Sequence, residues 1–257
     1  MGSILVWDLP TRIFHWLFAL CVVVALGIGL IVDDDEALFS VHMLCGFSAL
    51  CLVVLRLGWG LVGSRYAKLR TFIFSPRELF AYLRETLFGR GVHVVGRNPA
   101  SAYATLGMLF LTLVMVVSGV LSLSTEACRE VHETAAYLML ALIMAHVAGL
   151  AWNALRHRGA VWQGMVTGYE SGEPEAALST AHPLAGVIFC ALSLLAIGSL
   201  WRGYDSGSRT LHIPLMGKTL VLEPEEEKGE HEGGHEAHKH GKPVAVAKGQ
   251  DGDDDDD

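Results

Sequence analysis

The sequence predicts an all-α integral membrane bundle, a four-helix core with a fifth transmembrane helix. Three observations predict it. The chain has 257 residues, 52% of them hydrophobic, with a mean hydropathy of +0.41. Soluble domains are also close to half apolar, so the distribution matters more than the share. Charge is nearly absent from five stretches, near residues 13–32, 40–62, 101–123, 132–155 and 183–201. A helix needs roughly 20 mainly apolar residues to cross the hydrocarbon core. The segments between these stretches are crowded with charge. The length suits one bundle with loops and a tail. We divide it into a membrane domain at 1–170, a linker with the fifth helix at 171–207, and an acidic, His-rich tail at 208–257.

The first stretch starts with Arg12 and His15 and runs into Asp33-Asp34-Asp35. It lacks a small-residue cleavage site, so it reads as a retained helix and not as a signal peptide. His42 opens the second stretch. The loop at 63–99 carries seven bases against two acids, Glu78 and Glu85. Within it, Ser75-Pro76-Arg77-Glu78 has the pattern of a helix start, with Ser as cap and Glu three residues on. Pro76, Leu79, Phe80, Leu83 and Leu87 recur at helical spacing. They predict an amphipathic helix near 76–89, with Arg77, Arg84 and Arg90 turned to lipid phosphates.

The third stretch offers Ser118 and Gly119 as small packing contacts. His132 opens the fourth, which also holds His146. His182 begins the fifth, where interfacial packing is expected. Residues 208–222, with Leu211 and Ile213, form a candidate ordered segment. Residues 202–257 contain fourteen acids, seven bases and five histidines and end in five aspartates. Past about residue 224 this composition cannot bury a core and should be disordered.

Basic loops stay cytoplasmic. The loop at 63–99 and the Arg156/Arg158 end of the fourth stretch are basic, whereas Asp33 to Glu36 is acidic. The N-terminus is therefore expected in the cytoplasm and the C-terminal tail outside it. Four of the five cysteines lie in apolar stretches, where Cys acts as a small hydrophobe. No Cys-x-x-Cys-His occurs, so no covalent haem is expected. No nucleophile, general acid–base pair or phosphate loop stands out, and no nucleic-acid partner is expected.

Ionisable residues inside membrane helices are costly and default to functional candidates. His15 lies near the cytoplasmic end of the first helix. His42 and His132 lie at the outer ends of the second and fourth. His146 follows His132 by 14 residues, a rise of about 21 Å and a turn about 40° short of four revolutions. Those two histidines therefore share nearly one helix face at opposite depths. The depths suggest two pairs, His42 with His132 outside and His15 with His146 inside. A haem iron with two axial imidazoles needs one histidine from each of two facing helices. Two haem b groups are expected. Gly46 and Gly149 lie on the ligand faces, where small residues let a flat macrocycle approach. His93 and His157 read as surface residues.

The segment Val6-Trp7-Asp8-Leu9-Pro10, with Arg12, Phe14, His15 and Trp16, resembles the opening of the bacterial cytochrome b561/Ni-Fe hydrogenase b-type cytochrome family. The resemblance continues in His42 with Gly46, in Arg56-Leu57-Gly58-Trp59-Gly60-Leu61-Val62-Gly63-Ser64-Arg65-Tyr66, in Asn98-Pro99, and in His132, His146 and Met165-Val166-Thr167-Gly168. It spans roughly residues 4–170. It implies a diheme core that passes electrons between membrane quinone and a redox partner, with His15, His42, His132 and His146 as axial ligands. Many relatives carry Gly-His-Asn-Pro before the third helix. Here it is Gly96-Arg97-Asn98-Pro99, and an Arg there could pair with a haem propionate.

The expected protein is thus a quinone-linked diheme cytochrome b of the bacterial inner membrane, a subunit of a hetero-oligomeric respiratory complex. Candidates for propionate or quinone contacts are Arg12, Arg56, Arg97 and Asn98, with Trp7 and Asp8 beside them. The partner is expected to be an extracytoplasmic multihaem cytochrome c or a hydrogenase-like subunit, and the acidic tail favours a basic one. The alternative reading is a metal-ion transporter or metal-binding membrane protein that collects metal on the tail histidines His231, His235, His238 and His240. Against it, the helices lack the embedded carboxylates that a divalent cation path needs.

Overall fold

The computed structural model describes residues 2–31, 38–89, 94–122, 125–157, 163–205, 210–213 and 218–221. The acidic loop at 33–36, Arg90, His93, Arg158, the side chain of His157 and the tail past 221 lie outside the described residues. So do the expectations placed on them.

Among the described residues, five helices are long and apolar enough to cross a membrane: α1 (Leu9–Ile31), α2 (Phe39–Val62), α4 (Pro99–Leu121), α5 (Glu126–His157) and α7 (Pro183–Arg202). Two shorter helices lie between them, α3 (Pro76–Phe88) and α6 (Gln163–Thr167). The spans match the apolar stretches to within about two residues except at α1, which starts at Leu9 instead of near residue 13, and at α5. That helix begins six residues before the expected start, because Glu126, Arg129 and Glu130 lie outside any apolar window. His132 therefore does not open the helix. It sits in its second turn, with a polar first turn ahead of it.

Consecutive helices pair as hairpins, α1 along α2 and α4 along α5, and α2 also packs on α4. Phe14, Phe18 and Val22 of α1 meet Ala49, Leu52 and Val53 of α2, Leu109 of α4, Met139 of α5 and Phe189 of α7. Leu20, Phe110 and Leu195 are each more than 60% exposed, which suits a lipid-facing surface. In lipid no hydrophobic force drives helix to helix, so shape and small residues do more of that work.

Each hairpin opens with a side-chain cap. Asp8 Oδ1 accepts from the Thr11 N–H at 2.9 Å, and Asn98 Oδ1 accepts from the Ser101 N–H at 2.8 Å. At α3, the Ser75 N–H donates to Glu78 Oε2 at 2.6 Å and the Glu78 N–H to Ser75 Oγ at 3.3 Å, the expected capping box. The bonds from Ser75 hold the Glu78 carboxyl below its usual range. The carboxylate arm of this cap is therefore in place above about pH 4.3 and is lost as pH falls further. We expect Ser75→Ala to speed amide exchange in the first turn of α3 roughly fivefold at neutral pH. Hydrogen-exchange mass spectrometry checks this.

The N-terminal strand β1 (Gly2–Leu5) pairs antiparallel with β2 (Tyr169–Gly172). The N–H groups of Val6 and Trp7 both donate to Gly168 O, at 2.9 and 3.0 Å. Gly168 has φ +90°, and a Cβ there would meet Trp7 O at 3.0 Å, so glycine is required. The chain's two ends of the 6–168 region are thus clasped together.

Strands β3 (Tyr204–Asp205), β4 (Thr210–Ile213) and β5 (Lys218–Val221) form an antiparallel sheet in that order. Helix α7 packs on α1 and α2, and Leu200 and Leu211 close over Leu44. Residues 1–225 form one compact unit. Helix α7 and Leu211 thus bury apolar side chains on the same bundle.

Candidate functional site

At the end of the bundle opposite α3, a cavity of about 470 Å³ opens between α1, α2, α4 and α5. His42 and His132 line it, with ring centroids 6.0 Å apart and planes inclined by 67°. Each ring is anchored from behind. His42 Nδ1 donates to Ala25 O and His132 Nδ1 to Met115 O, both at 2.8 Å. A neutral imidazole with its proton on Nδ1 keeps its lone pair on Nε2, the form that ligates a metal. Phe39 stacks on His42 at 5.0 Å and 10°. Arg129 also lines the cavity, with Nε 3.5 Å from Glu133 Oε1.

Gly46 lines the cavity as expected, but the glycines that touch the rings are others. A Cβ on Gly29 would lie 3.1 Å from His42, and one on Gly119 would lie 3.0 Å from His132. Gly119, read from sequence as a helix-packing contact, faces an imidazole. A Cβ on Gly149 would meet nothing within 4 Å among the described residues. Arg129, Gly29 and the two carbonyls were missed by sequence reasoning. Only Arg129 carried a signal there, as a base three residues before a candidate ligand.

His15 and His146 lie within electrostatic range of one another. Both are partly buried, and Trp16 sets its ring edge-on to His15 at 5.2 Å. Along α1, a groove of about 400 Å³ runs between α1, α6 and α7, bordered by Arg12, Trp16, Met165 and Cys190.

The arginine candidates divide. Arg56 is 1% exposed. Its Nη2 donates to Ala67 O at 2.9 Å, and its guanidinium lies over the rings of Phe14 and Phe72. It is within electrostatic range of Asp8, itself 1% exposed, whose Oδ2 accepts from Trp59 Nε1 at 3.1 Å. Arg97 lies 3.5 Å above the Phe72 ring and donates from Nη2 to Tyr66 O at 3.1 Å. Burial, and then the nearby Arg56 charge, pull its pKa down to about 9. Among the described residues, Arg56 Nη1 and Arg97 Nε are buried with no hydrogen-bond partner. An anion delivered to this pair would relieve both the repulsion and the unmet donors.

Other candidates have structural duties. Arg12 donates to Val166 O, and Trp16 Nε1 to Met165 O at 3.0 Å. Trp7 Nε1 donates to Glu170 Oε1 at 2.5 Å, and Glu170 Oε2 accepts from the Gly96 N–H at 2.8 Å. The side chain of Asn98 is committed to the cap of α4. His182 packs edge-on to Trp59 at 5.8 Å, in line with interfacial packing.

Fold and site together define a membrane-helix bundle that presents paired imidazoles to a cavity between its helices. The family model of prokaryotic cytochrome b561 matches residues 6–168, and the chain belongs to that family. It is similar to the probable Ni/Fe-hydrogenase 1 B-type cytochrome subunit of Escherichia coli strain K12, and to that of E. coli O157:H7. Each is 24% identical over 135 residues, 44% of this chain and 57% of the relative. The chain thus spans less than two thirds of the length of these curated relatives. Membership makes it a membrane cytochrome of the b type.

Proposed function

We propose that the chain holds two haems b, one between His42 and His132 and one between His15 and His146. It then links the quinone pool to a redox partner on the other side of the bilayer. The observation that carries this reading is the 6.0 Å between the His42 and His132 rings. Two imidazoles bonded on opposite sides of one metal, each at roughly 2 Å, set their centroids about 6 Å apart. The residues present fit the group: two Nδ1-anchored imidazoles, a cavity between them, and a cation, Arg129, at its rim.

When bound, haem supplies reversible one-electron oxidation and reduction at its iron. The chain's own residues do the rest. The carbonyls of Ala25 and Met115 fix the tautomer of the outer histidines. Arg129 on one side, and the Arg56–Arg97 pair on the other, offer charge to propionates. The apolar walls of α1, α2, α4 and α5 exclude water, which tunes the potential.

The basic end, with α3 and the loop at 63–99, belongs in the cytoplasm by loop charge. The groove lined by Arg12 and Trp16 would then take a quinone ring from the cytoplasmic half of the bilayer. The hydrogenase B-type subunits that the chain resembles favour a partner in a membrane complex. The acidic tail favours a basic partner, such as a multihaem cytochrome c.

Purified chain, assayed as its pyridine haemochrome, should contain two haems b per polypeptide. A single haem would overturn the paired reading. Addition of a short-chain quinol should reduce at least one haem. Failure to reduce either removes the quinone assignment. For the partner, binding of a basic cytochrome c should weaken with salt and on deletion of residues 224–257. Binding indifferent to both would remove the tail from docking.

A further inference from the structure

The two hairpins repeat one another at a spacing of 90 positions. Helix α1, Leu9–Ile31, corresponds to α4, Pro99–Leu121, end for end. The caps correspond, Asp8 to Asn98 and Thr11 to Ser101, with the same bond in each. At the opposite end the match extends to chemistry. His42 corresponds to His132, the acceptor Ala25 to Met115, and Gly29 to Gly119.

Each half therefore holds its imidazole in the same way. A carbonyl grips Nδ1, and one helical turn later a glycine Cα rests against the ring edge. A Cβ on Gly29 would meet His42 Cε1 and Nδ1, both at 3.1 Å. One on Gly119 would meet His132 Nδ1 and Cε1, at 3.0 and 3.1 Å. Contacts that close require the neighbour to give by a few tenths of an ångström. The ring is tethered at Nδ1 by a 2.8 Å bond, so the easiest response is rotation about its own long axis.

The quantity this arrangement sets is the angle between the two imidazole planes, 67°. We propose that Gly29 and Gly119 are paired positioning residues that fix the planes of the two outer ligands, each glycine setting one. This rests on the reading that His42 and His132 ligate one iron. The repeat does not extend the device to the other pair. The position matching His15 is Thr105, and that matching His146 is Arg56. The effect is therefore confined to one haem of two.

Axial imidazole planes far from parallel leave the iron's two π-type d orbitals close in energy. The oxidised low-spin centre then shows a strongly anisotropic electron paramagnetic resonance signal. Near-parallel planes split those orbitals and give an ordinary rhombic signal.

The test uses full-length, haem-loaded protein. In wild type, the signal lost on His42→Ala should be the strongly anisotropic kind. A rhombic signal there overturns the proposal, whatever the variants do. Gly29→Ala and Gly119→Ala should each keep two haems and move the largest g value and the midpoint potential of that haem alone. The control is Gly27→Ala, on the same helix as Gly29, where a Cβ meets nothing within 4 Å. It should superimpose on wild type. Unmoved signals in both alanine variants, an equal shift in the control, or a shift confined to the His15–His146 haem would each overturn it. Failure of the underlying reading looks different: His42→Ala and His132→Ala would then not remove the same haem.

Discussion

Replacing His42 or His132 with alanine is expected to remove one of the two proposed haems and to leave the other spectrally intact. The two substitutions should give the same product, because each would take away half of one proposed axial pair, whose rings stand 6.0 Å apart. His15→Ala or His146→Ala should give the complementary product and spare the haem proposed at His42 and His132. The separation follows from α5, which in the proposed reading carries one ligand of each pair. Its two histidines lie 14 residues apart, about 21 Å along a straight helix. A truncation at either site leaves the other ligand's turn of helix undisturbed. Haemochrome content falling from two to one, with a different residual α-band for each pair, checks the expectation. Equal loss of both haems from any single substitution would show that the two sites are not independent.

The largest effect on stability is expected at Arg56. Its guanidinium is fully buried between Phe14 and Phe72, bonded to Ala67 O and facing the equally buried Asp8. Arg56→Ala would strand the Asp8 carboxylate, leave the Ala67 carbonyl unmet and open a void. Removing one partner of a buried charge pair costs about 3–5 kcal/mol. In a unit of this size that lowers the melting temperature by roughly 10 °C. Arg56→Lys keeps the charge but not the flat stack on two rings, and should fall between the two. Thermal unfolding in detergent, followed by haem release and by helix signal, reads both variants. A melt unchanged in Arg56→Ala would mean the Asp8 charge is met from elsewhere.

Much of the fold was legible because helices in a membrane must satisfy their own backbone and be apolar for about 20 residues. Those requirements are written locally. The capping box at Ser75 and Glu78 was legible for the same reason, since both partners lie within four residues. The start of α5 was not. Its first turn is polar, and an apolar window cannot see a helix that extends past the hydrocarbon. The place of α7 in the bundle was not legible either. Its faces are apolar all round, so nothing in its pattern separates the side toward α1 and α2 from the side toward lipid.

The site divides along the same line. The four histidines and their proposed pairing by depth were read from side-chain identity, hydropathy and the helical repeat. Arg56 and Arg97 were candidates by type, but their convergence on Phe72 joins residues 41 positions apart. Asn98 was a candidate by type as well, and the structure spends it on a cap.

The sequence by itself determined that this chain is a membrane bundle with imidazoles at two depths, because hydropathy and helical period act over a few turns. Only the tertiary structure decided which carbonyl holds each outer imidazole, that Gly29 and Gly119 meet the rings, and that a fifth helix closes on the core. Those are contacts between segments far apart in the chain. In a bundle apolar on every face, which surfaces meet is settled by shape and close approach, and the order of residues does not announce it.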